Sequence, residues 1–199
     1  MYQTINFIKI TGKNTKTGRN FIKGKVTMNK MWAELPDLKL DYNTLPRTDV
    51  SEIKPNKYGL QNIYVGDDYM SYLRRTLLTK IDYAFVGIFF KNSWFNWHKD
   101  GRRTCAINVL LTPEDENAYC EMICPDTNEV HRVPYRQNVP MLFNALNIHR
   151  VMNTTEKDRK ILSISFYDKA HDGSGFFFDE ILMLYDKGLM INEMDIYQI

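Results

Sequence analysis

Short runs of apolar or alternating residues, separated by turn-forming residues, dominate the chain between positions 83 and 167. Alternation with a period of two residues is typical of strands that bury one face. The turn chemistry between the runs includes Lys91-Asn92-Ser93 and Asn153-Thr154-Thr155. The pattern predicts eight strands: Tyr83–Phe90, Trp94–His98, Thr104–Leu111, Tyr119–Ile123, Glu129–Val133, Pro140–Phe143, His149–Met152 and Lys160–Tyr167.

About eight strands at close spacing indicate an antiparallel jelly roll. The predicted fold class is therefore mainly β with a few helices (α+β), built on a double-stranded β-helix core of cupin-like type. The 199 residues are long enough for one domain of ordinary size. We expect N-terminal strands, a surface loop and a supporting helix over residues 1–80, the jelly-roll core over 81–168, and a C-terminal loop and helix over 169–199.

The N-terminal part combines strands with irregular chain. Two strand candidates, Tyr2–Ile10 and Asn20–Met28, are joined by a polar stretch, which predicts a hairpin. Three prolines and few periodic apolar positions between Glu34 and Tyr58 predict irregular chain running over the surface.

Two helices are expected. Apolar residues recur at spacings of three and four at Met70, Leu73, Leu77 and Ile81, and Asp67 or Asp68 offers an N-cap. A second helix is expected over Phe177–Tyr185, with Gly188 at its end.

Composition excludes several classes of protein. Hydrophobic residues at 44% and charged residues at 25% are ordinary globular values. The net charge of +2 argues against a nucleic-acid partner. No apolar run reaches the roughly 18 residues of a membrane span, and no secretory signal is seen, so we expect a cytoplasmic protein.

Three cysteines do not make a disulfide framework, so free thiols are predicted.

The first chemical motif is His98-Lys99-Asp100, at the end of a predicted strand. Residues i and i+2 of an extended segment point to the same side, so His98 and Asp100 can address one point in space. A lone His-x-Asp pair is more often a surface contact than a metal clamp, so the motif needs a third ligand.

His149 supplies this third ligand, after 48 intervening residues, at the start of another predicted strand. Two histidines and one carboxylate form the facial triad of non-haem Fe(II) oxygenases, which leaves three metal positions open. Arg159 follows after nine more residues and opens the next strand. A return antiparallel to the His149 strand would place Arg159 deep beside the metal, where it could bind a carboxylate. An exposed charge at the rim is the alternative for this arginine.

These motifs resemble the 2-oxoglutarate and Fe(II)-dependent oxygenases, particularly the prolyl-hydroxylase-like branch, over about residues 80–168. The resemblance implies that His98, Asp100 and His149 bind Fe(II) and that Arg159 binds the distal carboxylate of 2-oxoglutarate. Asn108 lies where relatives often present a polar contact to the cosubstrate. Relatives also often carry a hydroxyl two residues after the arginine, where this chain has Ile161. Which residue besides Arg159 holds 2-oxoglutarate is therefore open.

The implied activity is an O2-dependent hydroxylation that releases succinate and CO2. The substrate is unidentified, and a protein side chain and a small metabolite are both open. Two alternatives remain: a cupin-like metal enzyme that does not use 2-oxoglutarate, and a non-catalytic jelly-roll binding module. We expect no membrane partner, and the sequence leaves the oligomeric state undetermined.

Overall fold

A computed structural model describes residues 11–13, 20–22, 31–45, 53–77, 81–170, 173 and 175–188. The strands are β1 (Thr11–Lys13), β2 (Asn20–Ile22), β3 (Trp32–Glu34), β4 (Leu60–Tyr64), β5 (Tyr83–Phe89), β6 (Ser93–His98), β7 (Arg103–Leu110), β8 (Ala118–Ile123), β9 (Val130–Arg132), β10 (Pro140–Phe143), β11 (His149–Asn153) and β12 (Arg159–Tyr167). The helices are α1 (Asp67–Thr76) and α2 (Phe178–Asp186).

Two antiparallel sheets carry the fold. The larger sheet has the strand order β3-β10-β7-β12-β5-β4, and the smaller sheet has the order β6-β11-β8-β9. From β5 to β12 the chain passes back and forth between the two sheets, and only β8 and β9 are consecutive in one sheet. This winding is a double-stranded β-helix, so the predicted fold class is confirmed.

An apolar core lies between the two sheets because alternate residues of each strand point inward. Its buried members are Leu110, Cys120, Met122, Val133, Tyr135, Met141, Phe143, Ala145, Val151 and Ile161. Within β12, Ile161 belongs to this core, whereas Leu162 belongs to the core on the opposite face. Arg159 and Ser163 lie two residues on either side of Ile161, so both project into the space between the sheets.

The other face of the larger sheet packs against the helices. Leu162, Ile164 and Phe166 of β12 are fully buried there, in one cluster with Leu73 of α1 and Ile181 of α2. Truncation of a buried phenylalanine to alanine typically lowers the free energy of unfolding by about 3–5 kcal/mol, so the packing of Phe166 holds β12 firmly against the helices. This packing matters for the site because β12 carries Arg159.

All eight predicted strands of the core appear within one residue of their expected ends. The chain predicted to be irregular between Glu34 and Tyr58 has neither helix nor strand over the described residues 35–45 and 53–58, but it does not lie wholly on the surface. Leu35, Leu38 and Leu40 are buried in the helix-side core. Two strands that flank this region, β3 and β4, were not predicted. They extend the larger sheet at its two edges.

The helices agree with the sequence except at their ends. The N-cap of α1 is Gly66 at φ 83°, and no side chain caps the helix. The predicted cap by Asp67 or Asp68 is therefore wrong. Both carboxylates nevertheless lie in the first turn, where their negative charges interact favourably with the helix dipole. Gly188 follows α2 with φ 64°, the left-handed conformation that ends a helix.

The row of apolar residues predicted for the first helix is longer than the helix itself, because α1 ends at Thr76. Leu77 and Ile81 lie beyond the helix but are buried in the same core. In the N-terminal region β1 pairs with β2, so the predicted hairpin tip contains a strand. Tyr2–Ile10 lies outside the described residues. Neither described helix is long and apolar enough to cross a membrane.

Candidate functional site

Two neighbouring strands of the smaller sheet bring the two histidines of the site together. His98 is the last residue of β6 and His149 is the first residue of β11, and the two residues are paired across the antiparallel ladder. The register shifts between His149 and Val151, which marks a bulge at this point. Asp100 follows β6, and its backbone N–H donates to the carbonyl of Ala145 at 3.2 Å, which ties the loop to the chain that leads into β11.

The ligand atoms of His98, Asp100 and His149 all lie within 4.8 Å of one another. Nε2 of His98 is 3.6 Å from Oδ1 of Asp100, and Nε2 of His149 is 3.8 Å from Oδ2 of Asp100. Ligands at about 2.1 Å from one ion and at right angles are about 3 Å apart. Small side-chain movements would therefore close the three groups on a metal. The structure brings together the three residues that the sequence singled out.

Both imidazole rings are oriented by the backbone. Nδ1 of His98 lies 2.7 Å from the carbonyl oxygen of Asn96, and Nδ1 of His149 lies 2.8 Å from that of Asn147. A carbonyl oxygen only accepts hydrogen bonds, so each Nδ1 must carry the proton. Each Nε2 then presents a lone pair towards Asp100, as a metal ligand requires.

Burial keeps His149 neutral. Its side chain is 3% exposed and meets the edge of Phe143 at a ring-centroid distance of 4.9 Å. Burial lowers the pKa of His149 to about 4, although the nearby Asp100 carboxylate acts in the opposite direction. A neutral ring binds a metal without first losing a proton, so His149 is ready as a ligand at neutral pH.

Arg103 is a site residue that the sequence motifs do not single out. Its Nε and Nη2 donate to Oδ2 of Asp100 at 2.8 and 2.5 Å, and its Nη1 donates to Oγ of Ser163 at 3.1 Å. The guanidinium therefore bridges the loop that carries Asp100 and β12. An arginine three residues after a candidate metal-binding aspartate is the sequence signal for this contact, but the signal is weak on its own.

Arg159 lies deeper between the sheets and is 3% exposed. The rim position considered as its alternative is therefore excluded. Its Nε and Nη1 have no hydrogen-bond partner among the described residues. Burial lowers the pKa of this guanidinium, but an arginine side chain keeps its proton in proteins. A buried, charged fork with free N–H groups fits a carboxylate, which it can bind in bidentate geometry.

Tyr135 lies beside Arg159 and is hydrogen-bonded to Asn108. Nδ2 of Asn108 donates to the hydroxyl of Tyr135 at 2.9 Å, and Oδ1 of Asn108 is buried without a partner in the described part of the chain. The guanidinium carbon of Arg159 is 5.3 Å from the centre of the Tyr135 ring. Sequence reasoning missed Tyr135 because it lies between two strands, 27 residues from its partner Asn108.

The site is elongated along the strands. His98 ends β6, whereas Arg159 is paired with Phe89, at the end of β5 just before β6 begins. A strand advances roughly 3.3 Å per residue, so the arginine and the histidines lie towards opposite ends of the space between the sheets. Ser163 is 4% exposed and lies between these ends on β12.

Of the two other histidines, only His131 lies among the described residues, and it is not part of the candidate metal cluster. Its Nε2 lies 3.5 Å from Oε2 of Glu129. All three cysteines are free thiols, as predicted.

Comparison with known proteins gives neither a matching family model nor a matching curated protein. A 2OG-Fe(II) oxygenase family oxidoreductase from Burkholderia pseudomallei is similar in structure, with 12% identity over 44% of this chain and a TM-score of 0.40. The chain spans 44% of that protein, which is less than half its length.

Two further solved structures are similar over more of the chain. A Pseudomonas putida prolyl-4-hydroxylase is 15% identical over 69% of this chain and 92% of its own, with a TM-score of 0.48. HygX from Streptomyces hygroscopicus, solved with nickel, 2-oxoglutarate and hygromycin B bound, is 9% identical over 71% of this chain and 84% of its own, with a TM-score of 0.48.

Proposed function

We propose that this protein is a 2-oxoglutarate-dependent non-haem iron dioxygenase that hydroxylates a protein side chain or a small metabolite. In the overall reaction one oxygen atom of O2 enters the hydroxyl group of the product and the other enters succinate, while 2-oxoglutarate loses CO2. The observation that carries the proposal is the presence of two complementary groups in one inter-sheet space. These groups are a two-histidine, one-carboxylate cluster and a buried arginine whose Nε and Nη1 have no hydrogen-bond partner among the described residues.

The metal would be held by His98, Asp100 and His149. Bound Fe(II) would supply the activation of O2, which no amino-acid side chain provides. The protein's own residues supply position and charge. The carbonyl groups that fix the two Nδ1–H groups keep both Nε2 atoms aimed at one point. Arg103 occupies Oδ2 of Asp100, which favours coordination by the other oxygen and leaves more positions open for the cosubstrate.

Arg159 would hold the distal carboxylate of 2-oxoglutarate. The cosubstrate would then bind in one orientation only. Its distal carboxylate would contact Arg159 at one end of the site, and its 2-oxo acid group would lie at the metal at the other end. The apolar side chains between the sheets exclude water, so the charge-assisted bond to Arg159 is stronger than it would be in solvent. Asn108 would be a further contact of the cosubstrate, and it is hydrogen-bonded to Tyr135, whose ring lies beside this arginine.

The proposal is tested by binding of 2-oxoglutarate to the Mn(II)-loaded protein, measured by calorimetry. We expect binding by the wild type and a loss of at least about 100-fold in affinity for Arg159→Ala, because a charge-assisted bidentate pair is removed. Arg75→Ala, on the exposed side of α1, is the matched control and should bind as the wild type does.

The alternatives give different results in the same experiment. A cupin-like metal enzyme that does not use 2-oxoglutarate would bind Mn(II) but not the cosubstrate. A non-catalytic jelly-roll module would bind neither. Either result with folded wild-type protein would overturn the proposal. Where binding is found, release of succinate under air in the presence of candidate peptides and metabolites identifies the substrate.

A further inference from the structure

A row of paired residues crosses the larger sheet below the candidate metal cluster. Tyr83 of β5 pairs with Ser165 of β12, Ser165 with Ala106 of β7, and Ala106 with Phe143 of β10. Paired residues of neighbouring strands project from the same face of a sheet. The ring of His149 meets that of Phe143 at a centroid distance of 4.9 Å, so the metal cluster lies on this face. Tyr83 therefore faces the same space as the candidate metal ligands.

The middle of this row leaves room for Arg103 because Ser165 and Ala106 have small side chains. Nη1 of Arg103 donates to Oγ of Ser163, the next residue of β12 on the same face, at 3.1 Å. The same guanidinium holds Oδ2 of Asp100. Neighbouring strands lie about 4.8 Å apart, so the β5 end of the row is only one strand away from this contact.

Three aromatic rings continue this face to the edge of the larger sheet. Phe85 lies two residues after Tyr83 on β5 and is paired with Tyr64 of the edge strand β4. The ring centroid of Tyr83 is 5.5 Å from that of Tyr64 and 5.6 Å from that of Phe85. Tyr64 and Tyr83 are 40% and 38% exposed. The three rings, here called the aromatic shelf, thus form a continuous surface that is partly open to solvent.

The two carboxylates beside the aromatic shelf are already engaged. The hydroxyl of Tyr64 donates to Oδ1 of Asp67 at 2.8 Å. Oδ1 of Asp82 lies 3.2 Å from Nζ of Lys169, and its Oδ2 accepts a hydrogen bond from the backbone N–H of Tyr167 at 2.9 Å. Neither carboxylate is therefore free to attract a cationic ligand.

The arrangement of the rings indicates which ligand fits. An aromatic cage for a cation presents several ring faces to one enclosed centre. Here the rings lie side by side, and the planes of Tyr64 and Tyr83 differ by only 15°. Aromatic rings prefer offset-stacked or edge-to-face contacts with one another. A further planar, uncharged ring can extend such a row, whereas an ammonium group finds no cage.

We propose that the substrate carries an uncharged planar ring, which binds on the aromatic shelf and thereby lies beside the metal. This inference rests on the proposed function, because it takes the shelf as the substrate side of a dioxygenase site. An aromatic small molecule and an aromatic side chain of a polypeptide share this chemistry, and the probes below distinguish them.

The test measures how bound probes respond to the metal. 2-Naphthol represents a small aromatic molecule, N-acetyltryptophanamide represents an aromatic side chain, and decahydro-2-naphthol has the naphthol skeleton without its planar ring. Each probe is titrated into Mn(II)-loaded and Mg(II)-loaded protein, and its proton relaxation is followed by NMR. Mn(II) accelerates the relaxation of nearby protons, so a probe on the shelf should relax faster in the Mn(II) form. We expect this saturable effect for at least one planar probe and a weaker affinity for the saturated one.

Tyr83→Leu should weaken the binding of the planar probe by about two- to tenfold, the usual size of an aromatic pair. Leucine keeps an apolar side chain, so the affinity for decahydro-2-naphthol should stay the same. Trp94→Leu is the matched control. Trp94 is 55% exposed, but it alternates with Phe95, which packs on the core between the sheets, so it faces away from the metal. Its replacement should change neither affinity.

Three results would overturn the inference: no metal-dependent relaxation with either planar probe, equal affinity for 2-naphthol and its saturated analogue, or unchanged planar-probe binding in Tyr83→Leu. Binding of N-acetyltryptophanamide alone would support a polypeptide substrate, and binding of 2-naphthol alone a small molecule. If Tyr83→Leu fails to fold, Tyr64→Leu tests the same shelf at its exposed edge.

Failure of the proposed function gives a separate result, because the wild type would then not bind 2-oxoglutarate in the calorimetric titration. Binding of the planar probe is also measured in metal-free protein, by saturation transfer from protein to probe. A planar probe that depends on Tyr83 there, in protein that does not bind 2-oxoglutarate, would contradict the dioxygenase and leave the ring site in place. Loss of the probe with 2-oxoglutarate binding intact would contradict the ring site alone.

Discussion

Arg103 donates two hydrogen bonds to a single oxygen of Asp100, from Nε at 2.8 Å and from Nη2 at 2.5 Å. The side chains of both residues are largely shielded from solvent, at 18% and 19% exposure. Two charged donors that converge on one carboxylate oxygen hold that oxygen in place by charge-assisted hydrogen bonds. Asp100 is therefore set in place for His98 and His149 before any metal binds.

Loss of Arg103 should weaken metal binding. Replacement of a residue that orients a metal ligand typically costs 10- to 100-fold in metal affinity. We expect Arg103→Gln to weaken Mn(II) binding by about tenfold, measured by calorimetry. Arg103→Lys should recover only part of this loss, because lysine keeps the charge but not the fork. Arg102→Gln, at the exposed neighbouring position, is the control. Wild-type or tighter Mn(II) binding by Arg103→Gln would show that orientation is not what this arginine provides.

Asp100→Asn should abolish stoichiometric metal binding. The amide has nearly the same shape, but it lacks the negative charge that a divalent cation needs at this position. Metal content after loading and desalting, measured by elemental analysis, should fall from one equivalent to near zero. The exposed Asp126→Asn should retain its metal. Retention of one equivalent by Asp100→Asn would mean that the ion binds elsewhere in the protein.

The sequence predicts the core strands well because their burial leaves a clear apolar pattern. Alternate residues are buried in β11, whereas β7, β10 and β12 are buried on both faces. Strands β3 and β4 escape prediction for the opposite reason. They lie at the edges of the larger sheet and present partly exposed side chains, with no clean alternation. The buried leucines between them follow no period, since irregular chain covers the core there.

The candidate metal ligands are visible in the sequence because a His-x-Asp motif is local and His149 begins the partner strand. Arg103 and Tyr135 are harder to predict. The role of Arg103 depends on a side-chain rotamer that reaches back over a turn, and that of Tyr135 depends on packing against Arg159 and Asn108. No spacing rule encodes such contacts, because they arise only when the two sheets close on each other.

Arg159→Met should make the ligand-free protein more stable. A buried charge without a partner carries a desolvation cost, and an apolar residue of similar volume removes it. We expect the free energy of unfolding to rise by about 1–3 kcal/mol, measured by urea denaturation without ligand. Arg75→Met on the exposed helix surface should change it little. Lower stability for Arg159→Met would indicate that the guanidinium is already satisfied within the fold.

The three thiols should differ in their reactivity with pH. Burial raises the pKa of Cys105 and of Cys120 to about 12, whereas a hydrogen bond from Thr127 lowers the pKa of Cys124 from its ordinary value. Only the thiolate is alkylated, so the rate for each residue rises as the pH approaches its pKa. Between pH 7 and 9, iodoacetamide should label Cys124 alone in the folded protein, as mapped by mass spectrometry. Comparable labelling of Cys105 or Cys120 would contradict these environments.

The most direct test of the central claim is an anaerobic titration of 2-oxoglutarate into Fe(II)-loaded protein, followed by visible absorption. Chelation of the metal by the 2-oxo acid group should produce a metal-to-ligand charge-transfer band. We predict a saturable band in the wild type that is absent from metal-free protein and from His149→Ala. Folded, iron-loaded wild type that shows no band would contradict the dioxygenase account, and failure to load iron at all would favour a binding module.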